Sequence, residues 1–187
     1  MNRLFPHLAL AFACAAAAPF ASATVLTFDD ITTDDLVAAN YGGLDWSAGG
    51  WFAFSGEQSP LTAHSGSVRL TSVFGATDAE TAIGLGDGKT FQGAWFAGYD
   101  DVSLTFELYE HGTLVATSAT LTPSATPTWL ASGYAGLVDE VIVSSADQTA
   151  WVMDDLTFSA AVPEPASMAL MTGGLLAFAA AARRRRG

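Results

Sequence analysis

Val102-Ser103-Leu104-Thr105-Phe106-Glu107-Leu108-Tyr109-Glu110 alternates apolar and polar side chains almost without a break. Successive side chains of an extended chain point to opposite faces, so Val102, Leu104, Phe106 and Leu108 share one face. Ser103, Thr105, Glu107 and Tyr109 share the other, and the pattern is that of a half-buried strand. Glu110-His111-Gly112 then turns the chain, and Thr113–Leu121 returns with Leu114, Val115 and several threonines, which predicts a hairpin. Outward from this hairpin, strand-like runs occur at Val25–Phe28, Trp51–Phe54, Ser67–Val73, Thr90–Ala97, Trp129–Ala131, Val138–Ser144 and Ala150–Phe158, nearly all separated by Gly, Pro, Asp or Ser clusters. Apart from the two ends, no segment keeps helical spacing of apolar residues. Residues 24–160 therefore read as an all-β domain, a single β-sandwich of jelly-roll-like type. Its 137 residues are enough to bury about two-thirds of the unfolded surface.

Both ends differ from this body. Met1-Asn2-Arg3, the apolar run Leu4–Phe20 and Ala21-Ser22-Ala23 form a charged start, an apolar core and a small-residue terminus. Residues 1–23 thus read as a secretory signal peptide helix, cleaved between Ala23 and Thr24. Cys14 lies inside it, so the exported chain has no cysteine, and neither disulfide nor thiolate site staples the fold. At the other end, Ala166–Ala182 is a run of seventeen uncharged residues, followed by Arg183, Arg184, Arg185 and Arg186. As a transmembrane helix this run would span about 25 Å, the short limit for a bilayer. The arginines would stay cytoplasmic as a basic anchor, with the body outside. Pro163 and Pro165 keep the preceding stretch extended and exposed, as a processing enzyme requires.

Pro163-Glu164-Pro165, a short apolar helix and a terminal Arg cluster resemble the PEP-CTERM sorting signal of Gram-negative exopolysaccharide-producing bacteria. The resemblance covers roughly residues 161–187. It implies recognition by exosortase, a membrane-embedded cysteine transpeptidase-like enzyme that removes such tails near the Pro-Glu-Pro motif. It also implies passage through the general secretion machinery, transient or permanent inner-membrane insertion, and a cell-surface or extracellular-matrix destination. It implies no activity, since one tail serves many bodies. Phe28-Asp29-Asp30, Tyr41-Gly42-Gly43-Leu44-Asp45-Trp46 and Met153-Asp154-Asp155-Leu156-Thr157-Phe158 resemble a recurrent ectodomain of that family, similar to carbohydrate-binding-module-like jelly rolls.

The net charge of −12 conceals a strong asymmetry. Between Thr24 and Ala160 only Arg69 and Lys89 oppose eighteen acids, leaving −16 on the body. Such a surface excludes nucleic acid, whose binding needs clustered Lys and Arg. Cations are the partners that it favours.

Two constellations stand out in the body. Asp29-Asp30 close the first strand and Asp154-Asp155 interrupt the last, where the apolar phase slips from Trp151 and Met153 to Leu156 and Phe158. A bulge at the acids would produce that slip. Pairing of first and last strands would then gather four carboxylates, suiting a structural Ca²⁺ ion, against the alternative that each acid faces water alone. Tyr41, Trp46 and Trp51 lie in a glycine-rich stretch where exposed rings could stack on a glycan, against the alternative that they fill the core.

Catalytic signatures are absent: there is no Gly-x-Ser-x-Gly elbow, no His-Glu-x-x-His pair and no cysteine nucleophile in the body. Gly84–Thr90 departs from a phosphate loop because Ile83 stands where the spacing needs Gly, so it reads as a turn. The reading is a non-enzymatic, glycan-associated surface module that meets exopolysaccharide. A passive acidic matrix protein is the alternative, and a glycoside hydrolase a more distant one.

Overall fold

The computed structural model describes residues 22–72 and 81–160, together with Gly174. Residues 1–21 of the expected leader and, apart from Gly174, the expected tail helix over 166–182, with the sorting motif and Arg183–Arg186, lie outside the described residues. The described residues of the body form ten strands: β1 (Ala23–Leu26), β2 (Asp35–Leu36), β3 (Phe52–Phe54), β4 (Arg69–Thr71), β5 (Ala82–Gly98), β6 (Leu104–Glu110), β7 (Thr113–Thr117), β8 (Thr128–Ala131), β9 (Val138–Ser145) and β10 (Trp151–Ala160). Tyr41–Gly43 forms a 3₁₀ turn. Among the described residues no helix is long and apolar enough to cross a membrane.

The strands join in one antiparallel hydrogen-bonded network, β2-β3-β4-β10-β5-β9-β6-β7, with β1 branching from β10 and β8 from β5. Branching arises because the long strands change neighbours along their length. The start of β5 pairs β9 while its second half pairs β8, and β10 pairs β4 at Met153 but β1 from Leu156 onward. The network thereby folds over itself as a β-sandwich.

The hairpin at the centre of the sequence reading is present. Leu104, Phe106 and Leu108 of β6 are fully buried, and the strand begins at Leu104 instead of Val102. His111 and Gly112, both with positive φ, form its two-residue turn. That is the backbone twist which suits a right-handed hairpin. Gly84–Thr90, which reads from sequence as a turn, lies within β5 and contains an insertion: four residues, 85–88, stand opposite Asp139 of β9. Strand β2, two residues long, is too short to leave a periodic signature in the sequence.

The phase slip in β10 is a bulge. Its register with β5 shifts between Asp154 and Thr157, and Asp155 has a φ of 48°. Before the bulge Trp151 and Met153 enter the core; after it Leu156 and Phe158 do. Val152, pointing the other way, joins a small outer cluster with Leu61 and Ala97.

The core contains a continuous train of rings. Phe28 meets Trp46 at 5.7 Å, Trp46 meets Trp51 at 5.6 Å, and Trp51 meets Trp151 at 6.1 Å. From there Phe96, Phe106 and Phe91 continue it, at 5.5, 5.6 and 4.8 Å. Most of these contacts are edge-to-face, the geometry that the ring quadrupole favours. The indole nitrogens of Trp46 and Trp51 donate to the carbonyls of Tyr41 and Ala82. A body without disulfides is held by this buried aromatic area.

Candidate functional site

The segment from Ser55 to Val68, between β3 and β4, lies against the outer face of the sheet. Leu61 anchors it on Ala97 and Val152. Arg69, 2% exposed, ties it from within: its guanidinium donates to the carbonyls of Leu61, Ser67 and Gly56 and lies 4.1 Å from the Phe54 ring centroid. Burial lowers its pKa, and three carbonyl acceptors with an aromatic face compensate the lost water. Glu57, Gln58, Ser59 and Thr62 line a cleft of about 580 Å³ in this cover segment.

Three of the four sequence-predicted acids hold the segment's far end. Asp29 accepts the amides of Ser67 and Val68 at 3.0 and 3.3 Å. One oxygen of Asp154 takes the amides of His64 and Ser65 at 2.8 and 2.9 Å. The other takes the amide of Asp155 at 2.7 Å. Asp155 accepts from the Ser65 hydroxyl at 2.8 Å and pairs with His64 Nδ1 at 2.5 Å. Gly66 is required at the centre, since a Cβ there would stand 2.0 Å from an Asp29 oxygen. Asp30 turns elsewhere, to the Tyr41 hydroxyl at 2.5 Å. First and last strands do pair, as expected. The four carboxylates nevertheless do not assemble into one cluster, because backbone amides, a hydroxyl and an imidazole satisfy three of them and a phenol the fourth.

Asp154 is 2% exposed, and burial pushes its pKa up to about 6 against the opposing pull of its amide donors. The phenol of Tyr41 is raised as well, chiefly by burial and then by its bond to Asp30.

On this clamp sits an aromatic surface. The His64 ring stacks on Trp95 with centroids 3.6 Å apart and planes 11° from parallel. Trp95, on β5, faces Trp129, on β8, at 5.9 Å. Both indoles are half-buried, whereas the other three tryptophans are sealed in the core. Trp129 reaches across Gly93, where a Cβ would lie 2.7 Å from its ring and 2.2 Å from the Leu130 carbonyl. Trp46 and Trp51, expected as ligand platforms, are 3% and 1% exposed and belong to the core; Tyr41 is half-buried beside Phe28. That expectation is corrected by packing: glycines around these rings let the chain fold over them. The sequence does not group His64, Trp95, Trp129 and Arg69, because the cover segment that brings them together has no periodicity. The one available signal was Arg69, one of only two basic residues in the body.

Chemically the arrangement fixes an imidazole and two indoles on a rigid surface. Ser65, His64 and Asp155 do not form a nucleophilic relay, since the Ser65 hydroxyl bonds the carboxylate and not the imidazole.

No curated protein and no solved structure matches the chain. Residues 161–186 match the family model of the PEP-CTERM protein-sorting motif. That motif implies an exported protein with exosortase as its processing partner. The chain therefore carries a PEP-CTERM sorting motif, and an all-β body precedes it.

Proposed function

We propose that the body is a non-catalytic module that associates with glycan outside the cell, at the surface formed by His64, Trp95 and Trp129. One observation carries the reading: two half-buried indoles lie side by side on the outer face, while the other three tryptophans are consumed by the core. Flat apolar faces suit the C–H faces of sugar rings, and the polar side chains of the adjoining cover segment suit their hydroxyls. Support for a non-catalytic role comes from Asp154, among the described residues the one acid with a pKa raised to about 6, whose two oxygens are occupied by amides beneath the cover segment. It has no open path to a substrate's leaving group. The −16 body favours neutral glycan, or acidic glycan bridged by cations.

Affinity pull-down on neutral and acidic matrix polysaccharides, with and without Ca²⁺, tests this. Binding should fall at least tenfold in Trp129→Ala and should persist in Asp100→Asn, an exposed substitution. Absence of binding to every polysaccharide would favour the other reading, an acidic matrix component that takes up water and cations, for which the body's charge speaks.

A further inference from the structure

A second group of side chains lies away from the clamp. Asp87 stands in the four-residue insertion of β5, flanked by Gly86 and Gly88, both with positive φ. His111 is the first turn residue between β6 and β7, and Asp139 lies near the start of β9. Three elements distant in sequence thus bring one imidazole and two carboxylates together, with one ligand atom from each all within 4.8 Å of one another. Gly88, Glu110, Leu137 and Val138 complete the lining of a cleft of about 290 Å³ around them.

The distances speak for a shared ion. His111 Nε2 and Asp87 Oδ1 are 4.0 Å apart, too long for a hydrogen bond. Two ligands flanking one zinc-sized ion at about 2.0–2.2 Å each would stand about 3.3 Å apart at a tetrahedral angle, within reach of a small side-chain rotation. Asp139 is already oriented, since its Oδ2 accepts the His111 amide at 2.7 Å. Asp87 has no hydrogen-bond partner among the described residues and is freely exposed. The general field of a −16 body draws divalent cations towards such a set.

We propose that Asp87, His111 and Asp139 bind a divalent transition-metal ion of the zinc class. An imidazole nitrogen with two carboxylates matches that class and not calcium, which takes oxygen ligands. Three protein ligands leave at least one position for water or a ligand's oxygen. The ion would staple the β5 insertion, the β6–β7 turn and β9 in a body without disulfides.

The test is calorimetric titration of the full chain with Zn²⁺, with Co²⁺ as a spectroscopic probe. His111→Asn removes the imidazole while keeping a residue that tolerates positive φ, so the hairpin is retained. Asp87→Asn alters only an exposed side chain. The wild type should bind one tightly held ion and gain thermal stability with Zn²⁺, with at least a tenfold loss of affinity in each variant and loss of the Co²⁺ visible band in His111→Asn. Equal binding by wild type and both variants, or none by any, overturns the proposal. Circular dichroism of the metal-free variants, unchanged from wild type, separates lost ligation from lost fold.

Discussion

Asp154 shows how one side chain can serve order and cost stability together. It accepts three backbone amides, yet burial holds its pKa near 6, above the usual value of 3.8. Between those two values the native state binds more protons than the unfolded chain does, so stability falls as pH rises through this window. The loss is complete above about pH 6 and absent below about pH 4, and amounts to roughly 2–3 kcal/mol. Urea denaturation at pH 4 and pH 7 should show this fall in the wild type and a flatter profile in Asp154→Asn. An identical slope in both proteins would show that another group is responsible. At the same scale, Trp46→Ala and Trp51→Ala should each cost about 3–5 kcal/mol, since they empty the middle of the buried ring train. Denaturant midpoints check this. Loss of a ligand with full stability would return these residues to a binding role.

Among the elements, β10 and the cover segment depend on each other. The bulge at Asp155 turns Asp154 and Asp155 towards the outer face, where Asp154 accepts the amides of His64 and Ser65 and Asp155 holds the Ser65 hydroxyl and the His64 imidazole. Asp29, three residues beyond β1, accepts the amides of Ser67 and Val68. Gly66→Ala would drive a Cβ into the Asp29 carboxylate and release this clamp. Hydrogen exchange should then accelerate at residues 64–68 far more than in β6 and β9, with a global cost of about 1–3 kcal/mol. Uniform acceleration across the sheet would mean that the segment is part of the folding core. The bulge was legible in the sequence, because a break in period-2 alternation at Asp154-Asp155 has few other causes. The clamp was not, because it joins residues some 90 positions apart through single hydrogen bonds that leave no pattern in either segment.

For the molecule as a whole, the two borders of the body meet. Ala23 pairs with Ser159 and Thr24 with Phe158, so the leader and the tail depart from one end of the same strand pair. The expected signal cleavage, between Ala23 and Thr24, falls inside β1, and a protease needs extended, unpaired chain. Cleavage at that bond would have to precede docking of β1 on β10. Mass spectrometry of exported protein should show a chain starting at Thr24 and ending near Pro163–Pro165. Mature protein that still carries Arg183–Arg186 would argue against cleavage of the tail. A chain processed at both ends would lose most of its positive charge and leave the acidic body.

Export, the all-β class and the half-buried strand at β6 were determined by the sequence itself. Each is written in a local pattern: a charged and apolar end, a motif of adjacent residues, an alternation over nine positions. Such patterns work through neighbours along the chain, where spacing alone fixes the geometry. The tertiary structure decided which tryptophans are core and which are surface. It also decided that the aspartate pairs grip a loop, and that Asp87, His111 and Asp139 come together. These outcomes follow from strand register and from how a non-periodic segment folds across a sheet, quantities that depend on contacts between residues far apart in the chain.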